Sequence, residues 1–124
     1  MTNETKKVLV LEDSEIFSGL LENTLHELGY NPLVTDNIEE ARSIIDQQEV
    51  YAAILDNEVR GVRYGPPLRD AGLDFGMELR DTHPRLRIAL HTSSTFDQDG
   101  VEYLTSMGIR YLYKMADQKD LASF

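Results

Sequence analysis

Short apolar runs alternate with amphipathic stretches along the whole chain. Val8-Leu9-Val10-Leu11 places four apolar residues in succession, the pattern of a strand buried on both faces. From Ser14 to Leu28 the spacing changes. Phe17, Leu21, Thr24, Leu25 and Leu28 form one helical stripe, and Gly29 supplies a stop. Leu33-Val34-Thr35 is a short second strand. Asp36 and Asn37 then offer N-caps, with Glu39 and Glu40 three positions on, ahead of a buried face of Ile38, Ala41, Ile44 and Ile45. Tyr51 to Leu55 predicts a third strand, and Gly61 to Gly72, with Pro66-Pro67, a turn-rich segment. A helix over Asp74 to Thr82 ends before Pro84, and Leu86 to Leu90 is a fourth strand. A helix over Asp97 to Ser106 stops at Gly108, Ile109 to Tyr113 is a fifth strand, and a last short helix begins near Asp117. Strands alternating with helices predict an α/β fold: a doubly wound, five-stranded parallel sheet, helices on both faces, right-handed crossovers. With no repeat, low-complexity tract or linker, residues 1–124 read as a single domain.

The run Ala52-Ala53-Ile54-Leu55 closes on Asp56. Parallel strands deliver their C-terminal ends to one edge of the sheet, where α/β folds keep their sites. Glu12-Asp13, Thr92 and Lys114 each end another run, so this edge is expected to gather three carboxylates, a hydroxyl and an ammonium. Carboxylates held together repel, and a hard divalent cation relieves that cost. Mg²⁺ favours oxygen ligands and keeps waters, which leaves positions for phosphoryl oxygens. A carboxylate beside such an ion can attack phosphorus and form an acyl phosphate. A Lys would neutralise one phosphoryl oxygen, and a Thr hydroxyl would hydrogen-bond another.

Composition narrows the classes further. At 124 residues the chain is long enough for a real core, and 41% hydrophobic content is ordinary for a globular protein. Twelve basic and 22 acidic residues give a formal charge of −10, which repels phosphate backbones and argues against direct nucleic-acid binding. No stretch has the apolar length of a membrane span. The opening Met-Thr-Asn-Glu-Thr-Lys-Lys lacks the apolar core of a signal peptide, and there is no Cys, so a cytoplasmic location is expected.

Four segments, in this order and at strand ends, carry a family resemblance: Val-Leu-Val-Leu-Glu12-Asp13-Ser, Ala-Ala-Ile-Leu-Asp56, Ile-Ala-Leu-His-Thr92-Ser93 and Tyr111-Leu-Tyr-Lys114. Over essentially the whole chain the sequence resembles the CheY-like receiver domain of two-component response regulators. The resemblance implies a flavodoxin-like strand order 2-1-3-4-5. It implies Asp56 as phospho-acceptor, and Mg²⁺ held by Glu12, Asp13, Asp56 and the backbone carbonyl of Glu58. Thr92 and Lys114 would read the phosphoryl group, with Ser93 and Ser94 as neighbouring hydroxyls, and Tyr111 would be the switch aromatic. It implies a histidine kinase or phosphotransfer protein as donor. The output domain or protein would be met through the fourth helix, fifth strand and last helix, with a homodimer as a further possibility.

The sequence also departs from that pattern. Met115 stands where relatives have a Pro in a cis bond; a cis peptide there would cost about 3 kcal/mol, so a trans bond or shifted loop is expected. The connection after Asp56 far exceeds the roughly 4–6 residues of a typical loop, and Asn57 to Arg60 contains no Pro. The segment 60–72 carries Arg60, Arg63 and Arg69 against Asp70 alone, a local basic island in an acidic chain. It reads as a surface insertion, or as a lid or partner-recognition loop beside the acceptor. Ile16 and Leu20 flank the first helical stripe as a candidate kinase-docking surface. His26, His83 and His91 show no ligand spacing, and His91 is expected to be a hydrogen-bonded interior residue.

Two further readings compete with the phosphorylation switch. One is an atypical receiver-fold module that binds protein without phosphorylation, which the departures favour. The other is an Asp-nucleophile phosphatase, because Asp56-Asn-Glu58-Val resembles the nucleophile motif of haloacid-dehalogenase-like enzymes. Those enzymes carry the motif on their opening strand, whereas here it follows the third, and the chain is read as not an enzyme.

Overall fold

The computed structural model describes residues 5–114. Strands β1 (Lys7–Leu11), β2 (Asn31–Thr35), β3 (Ala52–Leu55), β6 (Arg87–Thr92) and β7 (Ile109–Tyr113) form one sheet in the order β2-β1-β3-β6-β7, every pairing parallel. In sequence order of the sheet strands this is the expected 2-1-3-4-5 arrangement. Helices α1 (Glu15–Glu27), α2 (Ile38–Gln47), α3 (Ala71–Thr82) and α4 (Gln98–Ser106) make the connections. A short antiparallel hairpin of β4 (Val59–Arg60) and β5 (Pro67–Leu68) stands apart from the sheet.

Period-two alternation divides the apolar runs between two cores. Leu9, Leu11, Ala53, Leu55, Ile88 and Leu90 face a layer that includes Ala41, Phe75, Leu79 and Leu104 from α2, α3 and α4. Val8, Val10, Ala52 and Ile54 face Leu21 and Leu25 of α1. Runs that lack polar positions are therefore apolar because both faces are covered. Leu28, expected on the α1 stripe, is 43% exposed, since the helix has already ended at Glu27 and Gly29 turns the chain with φ 88°. Three helices start on side-chain caps: Ser14 Oγ accepts from Phe17 N, Asn37 Oδ1 from Glu40 N, and Asp97 Oδ1 from Gly100 N.

Several boundaries differ from the sequence reading. β2 begins at Asn31, because its register with β1 runs from Lys7↔Asn31 onward. β3 excludes Tyr51. β6 continues through Thr92, because the Thr92↔Tyr113 pairing carries its ladder beyond the apolar run. α3 starts at Ala71 rather than Asp74. Its first amides are capped from a distance: Gly72 N donates to Asn57 O at 3.0 Å and Leu73 N to Asn57 Oδ1 at 3.2 Å. Asp70, just before the helix, adopts φ 59° and makes no cap; its carboxylate accepts from Asn57 Nδ2 at 2.9 Å. Met115 and the last helix lie outside the described residues.

Gly72 is the tightest point of this arrangement. A Cβ there would collide with the Asp56 carbonyl oxygen, so only glycine lets α3 pass behind the end of β3. Gly72→Ala should therefore lower stability by about 3 kcal/mol or more, read as a fall in denaturant midpoint. Gly19, in mid-α1, is the control, because a Cβ added there would meet nothing within 4 Å among the described residues. Gly19→Ala should raise stability by about 0.5–1 kcal/mol. Equal effects of the two substitutions would contradict this packing.

Candidate functional site

The chemistry-bearing residues sit where the strand ladders run out. Glu12 N donates to Thr35 O at 3.0 Å, Asp56 N to Leu11 O at 2.8 Å and Lys114 N to Thr92 O at 2.9 Å. Each residue is thus held by one hydrogen bond beyond the named strand end, which fixes its backbone without committing its side chain. Glu12 is 3% exposed and Asp56 6%, while Asp13 is half-buried. Carboxylate oxygens of Glu12, Asp13 and Asp56 lie within 4.8 Å of one another. The Lys114 ammonium bridges two of them, donating to Glu12 Oε1 at 2.8 Å and Asp56 Oδ2 at 3.0 Å. It also stands 4.6 Å from the centre of the Phe17 ring, so Phe17 of the α1 stripe forms a wall of the site.

These contacts shift the titrations. Burial raises the Glu12 carboxyl from 4.5 to about 7, with the neighbouring Asp56 adding to the rise and the Lys114 bond opposing it. Burial and Asp56 also raise Asp13, against the charges of Arg60 and Lys114. For Lys114 burial works against the charge, but the bonds to Glu12 and Asp56 outweigh it and its pKa lies above the ordinary value. Glu12 Oε2 is buried with no hydrogen-bond partner among the described residues. A buried, unpartnered oxygen beside two further carboxylates fits a divalent cation, which would supply the missing partner.

Thr92 is buried, and its Oγ1 accepts from Ser94 N at 3.0 Å. The Ser94 carbonyl in turn accepts from the Tyr111 hydroxyl at 2.9 Å, and the Tyr111 ring packs on Phe96 at 5.2 Å. One turn of backbone therefore joins Thr92 to Tyr111. Glu58 is exposed, in the bend that follows Asp56 and Asn57.

His91 departs from expectation. Its Nδ1 is buried without a partner among the described residues, and the ring lies edge-on to Phe17 at 6.1 Å. Strand alternation puts it on the face opposite Thr92, against α1, where apolar neighbours offer little hydrogen bonding. Burial, with the Lys114 charge, lowers its pKa from 6.5 to about 4, so it is neutral near pH 7. Ile16 and Leu20 are exposed at 75% and 46%.

The sequence did not reveal the roles of Asn57 and Gly72, nor the pairing of Asp36, which read only as an N-cap candidate. Asn57 is buried and caps α3 as described. Asp36 Oδ2 pairs with Arg60 Nη1 at 3.3 Å while its Oδ1 accepts from Asn37 Nδ2 at 2.9 Å. The signals were present, an amide directly after Asp56 and a glycine near a helix start, but their partners lie far along the chain.

A carboxyl whose pKa is higher folded than unfolded favours the fold at low pH and loses that contribution as pH rises. For Glu12 the loss falls between 4.5 and about 7. His91 has the opposite sign, adding stability as pH rises from about 4 to 6.5. The test is therefore the difference between proteins. In metal-free buffer, the stability of Glu12→Gln relative to the parent chain should increase from pH 4.5 to 7, measured by denaturant titration. A pH-independent difference would contradict the burial of an ionisable Glu12.

The sequence matches the response regulator receiver domain family over residues 8–124. No curated protein matches it. Among solved structures, it is similar to a response regulator from Thermotoga maritima with a TM-score of 0.76 and 21% identity, covering 97% of this chain and 93% of that one. The response regulator TrrA of the same organism, solved in complex with Mg²⁺-BeF, is similar at 26% identity and TM-score 0.76, covering 96% and 95%. A Burkholderia pseudomallei response regulator with a phosphorylated aspartic acid, calcium ion and citrate is similar at 24% identity and TM-score 0.76, covering 95% of this chain and 65% of that one. With a sheet in the order β2-β1-β3-β6-β7 and a family match across nearly its whole length, the chain belongs to the response regulator receiver domain family.

Proposed function

We propose that this receiver accepts a phosphoryl group on Asp56 in an Mg²⁺-dependent step and thereby switches a protein-interaction surface. The observation that carries the reading is the Lys114 ammonium bound to Asp56 and Glu12 beside a third carboxylate. Glu12, Asp13, Asp56 and the Glu58 carbonyl would hold the ion. When bound, Mg²⁺ supplies positive charge that lets a carboxylate meet an anionic phosphorus centre. An Asp56 oxygen forms the bond to phosphorus as the bond to the leaving group breaks, and the leaving group departs with the electron pair. Lys114 is already at hydrogen-bond distance from that carboxylate and would pair with a phosphoryl oxygen.

Thr92 provides the route outward. Its Oγ1 is engaged with Ser94 N, and Ser94 O holds the Tyr111 hydroxyl. Turning the Thr92 hydroxyl towards a phosphoryl oxygen would disturb the first bond and, through the same residue, the second. Tyr111 would then re-seat against Phe96, altering the α4–β7 face. The donor would be a histidine kinase or phosphotransfer protein, met at exposed Ile16 and Leu20, and the output partner would read the α4–β7 face and the last helix. Among the described residues no helix is long and apolar enough to cross a membrane, which suits the cytoplasmic setting proposed here.

The second reading is a receiver-fold module that binds its partner without phosphorylation. Its support is the long β3–α3 connection, which places Arg60 and Arg63 in the cleft with Glu12 and Asp13.

Incubation with Mg²⁺ and acetyl phosphate, followed by intact mass, separates the two. The chain should gain the mass of one phosphoryl group, and Asp56→Asn should gain none. Lys114→Ala should slow the gain by roughly tenfold or more, the worth of a charge-assisted bond. An unchanged mass across a wide range of donor and Mg²⁺ concentrations would favour the second reading.

A further inference from the structure

The β4–β5 hairpin is held against the acceptor site by its base. Val59 is fully buried, Glu39 N donates to Gly61 O at 2.9 Å, and Arg60 bridges to Asn37 beside the start of α2. Asn57 closes the other end through Asp70. The segment is thus a fixed part of the wall around Glu12 and Asp13. Its residues Arg60 and Arg63 are the cations lining a cleft of about 490 Å³ that also holds five carboxylates, Glu12 and Asp13 among them.

The guanidinium groups are incompletely used. Among the described residues Arg60 spends one nitrogen on Asp36 at 3.3 Å, leaving further donors of its planar fork available. Arg63 lies over the Tyr64 ring at 5.0 Å, and no carboxylate pairs with it among the described residues. Tyr64 itself is 86% exposed and held at φ 65°, a left-handed conformation that aromatic residues avoid. Such backbone tends to persist where a segment presents side chains for a purpose. Two fork-shaped cations in the cleft beside Glu12 and Asp13 match the geometry of phosphate oxygens.

We propose that Arg60 and Arg63 form an anion-binding wall that captures the phosphodonor before transfer to Asp56, with a doubly charged acyl phosphate as the favoured small ligand. The inference rests on Asp56 as acceptor. With acetyl phosphate, the Asp56 oxygen–phosphorus bond forms as the phosphorus–oxygen bond to the acetyl group breaks. Acetate leaves with the electron pair, and no proton transfer is required. The wall acts before this step by raising the local concentration of donor and orienting it.

The experiment measures the rate of phosphorylation against donor concentration with two donors of different charge, acetyl phosphate and phosphoramidate, whose amino group cancels part of its charge. Arg63→Gln and Arg60→Gln should each lower the acetyl phosphate slope by roughly five- to tenfold. They should lower the phosphoramidate slope less, and Arg63→Lys should recover part of the loss. Added salt should narrow the gap between the parent chain and Arg63→Gln. Unchanged slopes would overturn the proposal, as would an equal fall with both donors, which would mean general damage to the site. Arg63 is at the exposed hairpin tip, so its variant carries the test should Arg60→Gln unfold. The acceptor reading is separated by a binding arm: the Asp56→Asn chain, with Mg²⁺, titrated with acetyl phosphate while the Arg Nε–H resonances are followed. Saturating shifts at Arg60 and Arg63 support the wall even if the parent chain takes no phosphate, and absent shifts overturn it.

Discussion

Three carboxylates in one small volume impose the condition that the rest of the structure meets. At separations within 4.8 Å, each pair of full charges repels by roughly 3 kcal/mol at an effective dielectric constant of about 20. Burial of Glu12 and Asp56 adds a desolvation cost. The chain answers in three ways. Lys114 lies between Glu12 and Asp56, Glu12 holds its proton up to about 7, and among the described residues one Glu12 oxygen is left without a partner. A cluster that satisfied every oxygen internally would have nothing to offer a ligand. This one remains short of positive charge, and that shortfall is what a metal ion and a phosphoryl-transfer site would use.

The surroundings keep the acids from relaxing apart. Ladder bonds beyond β1, β3 and β7 fix the backbones of Glu12, Asp56 and Lys114. Behind Asp56, Gly72 brings the start of α3 against that residue's own carbonyl, and Asn57 caps that helix while holding Asp70. The segment is therefore tied to the residue next to Asp56 at one end and to the β2–α2 corner at the other. An element that reads as a turn-rich surface insertion in the sequence is a structured neighbour of the site.

Much of this was legible in advance, for physical reasons. Buried parallel strands leave unbroken apolar runs, so the five strands and their order followed from pattern and resemblance. Glu12, Asp13, Asp56, Thr92 and Lys114 stood out because they interrupt or end such runs. What escaped depends on contacts between distant segments. Asn57 caps a helix that begins 14 residues later, at Ala71, and the early start of α3 follows from that bond rather than from local propensity. Arg60 finds Asp36 across the β2–α2 corner. His91 was expected to find a hydrogen bond because it is interior, but its face of the sheet meets Phe17. The hairpin within 59–68 has strands of two residues each, too short for alternation to announce them.

The central claim is that the acid cluster and Lys114 form one metal-dependent site on Asp56. Fluorine NMR with beryllofluoride, a mimic of the phosphoryl group, tests it most directly. With Mg²⁺ present, the chain should show bound fluorine resonances that disappear when Mg²⁺ is removed and are absent from Asp56→Asn. Bound resonances that persist in Asp56→Asn or without a divalent cation, or no bound signal from the parent chain at saturating Mg²⁺, would contradict the account.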